Sequence, residues 1–164
     1  MIRAIFLDVD GTLISFSTHE IPASARRALT QAHERGVRLF IATGRAANDL
    51  GPLEGIPYDG VVSLNGARCV ANDGRVVSLH PIPRADFERA LALSEEQDFA
   101  MGLELEEGVF VNRVTPDVER VAHMVAHPVP KQTDLRELFG RVECCQLCFY
   151  FDAETQRRVM AELP

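Results

Sequence analysis

The sequence has no tryptophan and only one lysine, Lys131, among its 164 residues. It has no basic cluster, and its formal net charge is −7, which argues against a nucleic-acid or acidic-membrane surface. The chain does not open with a charged segment and a signal-length apolar stretch, and no apolar run could span a bilayer. We therefore expect a cytoplasmic protein with no nucleic-acid or membrane partner. Its hydrophobic content of 46% suffices for a packed core.

The four cysteines and five histidines lack the spacing of a zinc site. Cys145 and Cys148 are three apart in a strand-like segment, so they would face opposite ways, and no second Cys/His pair completes a ligand set. His123 and His127 have helical i, i+4 spacing without an HExxH glutamate. We interpret the cysteines as small core residues and these histidines as part of a helix surface.

Two carboxylates, Asp8 and Asp10, follow the apolar segment Ile2–Leu7. Residues two apart in a strand share a face, so these side chains lie side by side. The apolar segment predicts a central strand of a parallel sheet, with both carboxylates at its carboxyl end, where open α/β sheets place their sites. Two like charges this close favour a divalent metal or a shared proton. An ordinary Asp-Gly turn is the alternative.

The first half of the chain reads as a βαβ unit, whose strands should be parallel and adjacent with a right-handed crossover. The Thr43-Gly44-Arg45 segment should then lie on the same sheet edge as Asp8. A third strand ends at Asn65-Gly66, and a hairpin follows over 67–79. The remaining predicted elements are a helix from Ile21-Pro22 to Gly36, a strand over Val37–Ala42, a short helix over Ala46–Leu50 and a strand over Gly60–Leu64.

Beyond Pro81 and Pro83 the strict β-α-β alternation ends, which indicates a second, α+β module. The predicted elements there are helices over Arg84–Gln97, Thr115–Ala126, Thr133–Phe139 and Ala153–Leu163, and strands over Ala100–Leu105, Gly108–Asn112 and Val142–Tyr150. We therefore expect an α/β protein with two domains. The first, over 1–80, is a three-layer Rossmann-like core with a parallel sheet, and it includes the hairpin. The second, over 81–164, is an α+β cap.

Two motifs carry a family resemblance. Asp8-Val9-Asp10-Gly11-Thr12-Leu13 and Ile41-Ala42-Thr43-Gly44-Arg45 resemble the first two signature motifs of the haloacid dehalogenase superfamily. Leu64-Asn65-Gly66-Ala67, followed by a hairpin and a helical segment, resembles more closely its Cof-type subfamily of phosphatases for sugar phosphates and other small metabolites. The match is specific through about Ser78. Beyond that residue only the pattern of an α/β cap, inserted after the third core strand, agrees.

The resemblance implies a reaction through an aspartyl-phosphate. Asp8 would attack phosphorus, and Asp10 would protonate the leaving alcohol and then accept a proton from water. Mg²⁺ would be held by the Asp8 carboxylate and the Asp10 backbone carbonyl. Thr43 would hydrogen-bond a phosphoryl oxygen, and Gly44 would permit close approach.

Other residues of the motifs keep two interpretations each. Thr43 is also a candidate N-cap of the following helix, a position that itself binds anions. Asn65 and Gly66 would line the substrate side, although Asn-Gly is also an ordinary turn. Arg45 either faces the substrate or pairs with an acidic neighbour, and the sequence favours neither.

The chain departs from the family in two positions. The superfamily uses a lysine that grips the phosphate and a Gly-Asp motif that completes the metal shell. Here Lys131 lies in the cap, and no Gly-Asp pair occurs. Because the sequence ends at Pro164 inside a predicted cap helix, we expect it to lack the C-terminal part of the family. The Asp8 strand would then be an open apolar edge, prone to self-association or awaiting a missing segment.

These observations favour a Mg²⁺-dependent phosphatase acting on a small phosphorylated metabolite, with residues 1–164 alone inactive. One alternative is a truncated, non-catalytic module that binds phosphate or a partner. Another is a phosphosugar mutase, since related folds transfer phosphoryl groups through the same intermediate. The cap selects the substrate, so the sequence does not name it.

Overall fold

The computed structural model describes residues 2–15, 17–18, 20–125 and 127–162. The chain divides into two compact units, one up to His80 and one from Pro81. Each unit is built on its own sheet. The α/β class expected from the sequence is confirmed. The predicted helix ends at Ala126 and Leu163 lie outside the described residues.

The first unit contains a five-stranded sheet in the order β1-β2-β3-β4-β5. Strands β1, β2 and β3 are parallel, and the β4–β5 hairpin is antiparallel. The elements are β1 (Ala4–Leu7), α1 (Ala23–Glu34), β2 (Arg38–Ala42), β3 (Gly60–Ser63), β4 (Arg68–Ala71) and β5 (Val76–Leu79). In the described part of the chain β1 pairs only with β2, so it forms the edge of the sheet and not its centre.

The two faces of this sheet differ. Helix α1 and the following loops cover one face, where Leu39, Ile41 and Val61 form part of the core with Leu29. On the other face Phe6 stacks on Phe40 with ring centroids 4.9 Å apart, yet Phe6 remains 62% exposed. A cavity of about 480 Å³ lies beside these rings. Parallel strands are normally buried on both faces, so this face is open to a further element.

The predicted helix over Ala46–Leu50 is wrong. The segment forms one turn, closed by the Asp49 N–H donating to the Ala46 carbonyl at 3.1 Å, and a separate 3₁₀ turn follows over Gly51–Leu53. Pro52 lacks the N–H that would continue a helix.

The second unit contains a four-stranded sheet in the order β8-β7-β6-β9. Its elements are α2 (Arg84–Glu96), β6 (Ala100–Leu105), β7 (Gly108–Val111), α3 (Pro116–Met124), β8 (Lys131–Gln132), α4 (Leu135–Phe139), β9 (Gln146–Tyr150) and α5 (Ala153–Glu162). Strand β6 pairs antiparallel with β7 and β9, and β8 runs parallel to β7. Strand β8 is missing from the sequence prediction, because two residues show no periodicity.

Two predicted elements are shorter than expected. Helix α4 begins at Leu135, because the Asp134 side chain accepts hydrogen bonds from the Arg136 and Glu137 N–H groups at 2.9 and 3.0 Å and so caps the helix. Strand β9 begins only at Gln146. The residues before it instead contribute the buried Cys144 to the core.

The cysteines and histidines of this unit differ in burial. The described cysteines form no disulfide; Cys144 is buried, and Cys145 and Cys148 are half-buried. His123 lies exposed on α3, whereas His127 lies beyond the end of that helix, so the expected shared helix surface is wrong for His127. Within the described ranges, no helix combines the length and apolar character needed to cross a membrane.

Candidate active site

Polar residues follow each of the three parallel strands, at the end of the first sheet where these strands terminate. Asp8 follows β1, Thr43 follows β2, and Asn65 lies in the 3₁₀ turn after β3. Because parallel strands place their carboxyl ends at one edge, these residues converge. They surround a cavity of about 290 Å³, which is lined by Asp8, Ala42, Thr43, Gly44, Val62, Asn65 and Gly66.

A tight turn after β1 sets the direction of the carboxylates. Val9 is buried while Asp8 and Asp10 are exposed, as the two-residue alternation predicts. Gly11 adopts φ 79° and donates its N–H to the Ile14 carbonyl at 2.8 Å. This left-handed conformation favours glycine. The Thr12 hydroxyl donates to Asp8 Oδ2 at 3.1 Å, so one oxygen of that carboxylate is held.

Thr43 is buried and anchored on both sides of its backbone. Its N–H donates to the Val62 carbonyl at 2.9 Å, and its carbonyl accepts from the Asn65 N–H at 3.2 Å. Its Oγ1 accepts the Arg45 N–H at 3.1 Å. The N-cap interpretation is wrong, because no helix follows. The hydroxyl closes a local turn, and its own hydrogen can be donated to a group in the cavity that Thr43 lines.

The turn after β3 is a run of left-handed residues. Leu64, Asn65 and Gly66 have φ of 49°, 54° and 96°. Such conformations are costly for leucine and tolerated by asparagine, and they cluster at functional sites. This run turns the Asn65 side chain against Gly44. A Cβ at Gly44 would lie 3.1 Å from Asn65 Oδ1, so a side chain there would make the Asn65 amide shift by a few tenths of an ångström.

Arg45 holds Asp10. Its Nε and Nη2 donate to Asp10 Oδ2 and Oδ1, both at 2.8 Å. Its Nη1 donates to the Asp49 carbonyl at 3.2 Å and to Asp49 Oδ2 at 3.3 Å. The hydrogen bond to Asp10, with the nearby charges of both aspartates, raises the pKa of Arg45. Of the two interpretations of Arg45, the structure displays the acidic pairing.

Asp49 was missed by the sequence reasoning. Its i, i+4 spacing to Arg45 is a signal, but next to a helix predicted over 46–50 such a pair indicates an ordinary surface contact. Asp10 and Arg45 also do not line the cavity, unlike the other predicted site residues. They lie beside it, joined to each other.

The cavity lining offers a hard cation one carboxylate, that of Asp8, beside the Thr43 hydroxyl and the Asn65 amide. Mg²⁺ prefers oxygen ligands and commonly takes one or two carboxylates, with waters and substrate phosphate completing its shell. Asp8 supplies one carboxylate here, and the contribution predicted for Asp10 is its backbone carbonyl, which leaves the Arg45 pair intact. In the chain as described, no three His, Cys, Asp or Glu residues cluster as a metal site. The described residues therefore offer Mg²⁺ the Asp8 carboxylate as a ligand, but they do not surround the ion.

Comparison with known proteins gives the family. Residues 5–164 match the haloacid dehalogenase-like hydrolases. The chain belongs to this family. This match confirms the resemblance based on the Asp8–Leu13 and Ile41–Arg45 motifs. Asp8, Thr43 and Gly44 of these motifs line one cavity in this haloacid dehalogenase-like chain.

Three relatives are informative. BT1666 of Bacteroides thetaiotaomicron, a phosphatase of this superfamily, is 54% identical, with a TM-score of 0.91 over 98% of this chain and 60% of its own. BT4131, a subclass IIB sugar phosphatase, is 28% identical, with a TM-score of 0.83 over 99% of this chain and 64% of its own. YkrA of Bacillus subtilis, named as a candidate phosphatase, is 30% identical over 95 residues, which are 57% of this chain and 36% of YkrA. The chain thus spans less than two thirds of the length of each relative.

Proposed function

We propose that this protein is a Mg²⁺-dependent phosphatase that hydrolyses phosphate esters of small metabolites through an aspartyl-phosphate. The observation that carries the proposal is the convergence of Asp8, Thr43 and Asn65 on one cavity at the carboxyl ends of three parallel strands. The naming of BT1666 as a phosphatase and of BT4131 as a sugar phosphatase supports it.

In the first step an Asp8 oxygen forms a bond to phosphorus, and the bond from phosphorus to the ester oxygen breaks. Thr12 donates to Asp8 Oδ2, so Oδ1 is the oxygen that we assign to the attack. Asp10 lies in the Arg45 fork as a carboxylate, so it must first take up a proton from solvent. Its carboxyl then gives that proton to the departing oxygen, and an alcohol leaves.

In the second step water attacks the phosphorus of the aspartyl-phosphate, and Asp10 takes the proton that the water loses. The bond from phosphorus to Asp8 breaks. Inorganic phosphate is released, with Asp8 again a carboxylate and Asp10 again protonated.

The cavity lining binds and orients the phosphoryl group. The Thr43 hydroxyl and the Asn65 amide offer hydrogen-bond donors to its oxygens, and Gly44 and Gly66 leave room for it. Mg²⁺, held by the Asp8 carboxylate and the Asp10 backbone carbonyl, supplies neutralisation of the phosphoryl charge when bound. At about 290 Å³ the cavity is at the small end of ligand pockets, which are roughly 300–1,000 Å³, and this suits a small phosphate ester.

One observation favours a second candidate function. The described residues offer Asp8 as a single carboxylate in the cavity, and Asp10 is bound to Arg45. A module that binds phosphate without hydrolysing it needs no more than this lining. Such a module would bind inorganic phosphate and release none from any ester.

The test uses the protein as its gene encodes it, assayed with a panel of sugar phosphates and nitrophenyl phosphate. We expect phosphate release that a chelator stops and added Mg²⁺ restores, with Ca²⁺ a poor substitute because of its longer, looser coordination. Asp8→Asn should lower turnover by about a thousandfold or more. Mass spectrometry of acid-quenched protein should find the phosphoryl group on the peptide that contains Asp8.

The matched control is Asp86→Asn, which makes the same chemical change at an exposed aspartate of α2. It should retain the wild-type rate. Undiminished turnover in Asp8→Asn, or in excess chelator, would refute the proposed mechanism.

A further inference from the structure

One residue connects the ends of all three parallel strands. The Arg45 side chain binds Asp10 after β1, its N–H donates to Thr43 Oγ1 after β2, and its carbonyl accepts the Leu64 N–H after β3 at 3.1 Å. The Arg45 side chain is only 21% exposed. The Arg45 guanidinium is therefore better shielded from solvent than the arginine of an ordinary surface ion pair.

The two bonds to Asp10 set the plane of its carboxylate. A guanidinium with Nε and one Nη engaged is planar and rigid, so both oxygens of the carboxylate take one orientation. The orientation of Asp10 therefore follows the orientation of the guanidinium.

The guanidinium is in turn held from its other side. Nη1 of Arg45 donates to both the carbonyl and the carboxylate of Asp49. Asp49 itself is fixed, because its N–H donates to the carbonyl of the buried Ala46 and because the next residue, Leu50, is also buried. Asp49 can therefore hold Arg45 in place without touching the cavity, whose lining does not include it.

We propose that Asp49 is a positioning residue for the acid–base carboxylate, acting through Arg45 to aim Asp10. The proposal rests on the proposed function, which gives Asp10 its proton-transfer role. Proton transfer needs the donor and the acceptor within hydrogen-bond distance. A small change in the orientation of Asp10 therefore lowers the rate of the step that it catalyses. The rate should fall for substrates whose leaving group needs a proton. It should change little for substrates whose leaving group departs as a stable anion.

A leaving-group series tests this in the protein as its gene encodes it. Phenyl phosphate and 4-nitrophenyl phosphate have nearly the same shape, but only the phenoxide needs protonation. In Asp49→Ala we expect kcat for phenyl phosphate to fall about tenfold, a fraction of the roughly 10²–10⁴ that full acid–base catalysis supplies. We expect kcat for 4-nitrophenyl phosphate to change less than about twofold, with KM similar for both.

Two further variants bracket the result. Arg45→Lys keeps the charge but cannot form the fork, so it should reproduce the selective loss on phenyl phosphate. Glu34→Ala removes an equal charge from an exposed position of α1 and should leave both rates unchanged. Equal losses of rate on both esters in Asp49→Ala, or no loss on either, would overturn the proposal.

A second measurement does not depend on activity. In ¹⁵N NMR of residues 1–164, the wild-type Arg45 guanidinium should show a slowly exchanging Nε–H and slowed rotation of its Nη groups, because four hydrogen bonds restrain it. Asp49→Ala should speed Nη rotation and Nε–H exchange, and Glu34→Ala should not. Unchanged Arg45 signals in Asp49→Ala would refute the positioning role even if the phosphatase assignment holds. An inactive protein with the expected signal changes would refute the assignment alone and leave the Asp49–Arg45–Asp10 connection established.

Discussion

The two sheets use their strands in opposite ways. Strand β6 of the second unit is buried on both faces, with Met101 and Leu103 packed in one cluster and Ala100 in another. Strand β1 of the first unit alternates between exposed and half-buried residues, and it carries Asp8 directly after its end. The second sheet is thus a packed scaffold, and the first combines an open face with a polar edge. The chain therefore concentrates its candidate chemistry where its packing is least complete.

The same contrast holds for two arginines that each bridge two acids. Arg45 joins Asp10 to Asp49 and is 21% exposed, whereas Arg136 joins Glu88 to Glu95 on α2 and is 50% exposed. The fork of Arg136 braces α4 against α2. The fork of Arg45 holds a carboxylate beside the cavity.

Phosphatase activity should depend most on the phosphate-binding lysine and the second acidic motif expected for the family. The described lining of the cavity contains neither. Lys131 is on β8 of the second unit, and the described residues hold no three-acid cluster. Charge stabilisation and positioning supply nearly all catalysis in phosphoryl transfer. We therefore expect residues 1–164 alone to hydrolyse phosphate esters about a hundredfold or more slowly than BT1666 assayed in parallel.

The measurement needs homogeneous protein with an intact mass that matches these 164 residues. Turnover equal to that of BT1666 would show that another basic residue, Arg45 or Lys131, takes over the grip on the phosphate. The expectation that residues 1–164 lack part of the catalytic charge would then be wrong.

The open face of the first sheet should cause self-association. Phe6 on the edge strand β1 is 62% exposed, and an unpaired edge is a template for another strand. Phe6→Lys should weaken association by about tenfold, because it removes apolar contact area and adds edge charge. Sedimentation velocity over a concentration series measures this, with Met160→Lys, an exposed apolar residue on α5, as the control. Equal weakening in both variants would mean that the β1 edge is not the contact.

Replacing each of the two bridging arginines should lower the free energy of unfolding by a different amount. Arg45→Gln leaves the Asp10 carboxylate next to Asp8 without its fork, and we expect a loss of about 1 kcal/mol in unfolding free energy after allowance for solvent screening. Arg136→Gln should cost less, because the Arg136 side chain is 50% exposed whereas that of Arg45 is 21% exposed. Urea unfolding of both variants gives the comparison, and a larger loss in Arg136→Gln would reverse it.

The smallest expected effect is a coupling between Gly44 and Asn65. Gly44→Ala places a Cβ 3.1 Å from Asn65 Oδ1 and 3.3 Å from Nδ2, so the amide must shift. Gly44→Ala should cost about 1 kcal/mol alone and clearly less in an Asn65→Ala background. A double-mutant cycle by urea unfolding measures the coupling. Additive costs would mean that the contact is not strained in solution.

Much of the first sheet could be predicted from the sequence, because its signals are local. The apolar runs, the helix ended by Gly36 and the Asn72-Asp73-Gly74 turn each specify their own element, and β1 to β5 follow within a few residues. The convergence of Asp8 and Thr43 follows from the parallel pairing alone. These predictions needed no knowledge of distant contacts.

Most of the rest depends on contacts between distant residues. The Arg45 fork joins residues 35 positions apart, and no local pattern distinguishes it from an arginine that faces substrate. The segment 46–50 has helical composition, yet Pro52 and the bonds of Asp49 to Arg45 give it a turn. Strand β8 exists only because Lys131 and Gln132 pair with β7. For the Arg45 fork and for β8 a tertiary contact overrides the local preference, whereas segment 46–50 is decided by its neighbours in sequence.

The hydrogen bonds at the sheet edge also predict how this region moves. The amides of Thr43, Arg45, Leu64 and Asn65 all donate to other residues at the ends of β2 and β3. A fluctuation that opens one of these bonds removes the support of the others, so their amide hydrogens should exchange with solvent together, as one cooperative local unit. Inorganic phosphate bound in the cavity would slow all four exchange rates by a common factor. Hydrogen exchange of these amides would therefore measure whether the cavity is occupied.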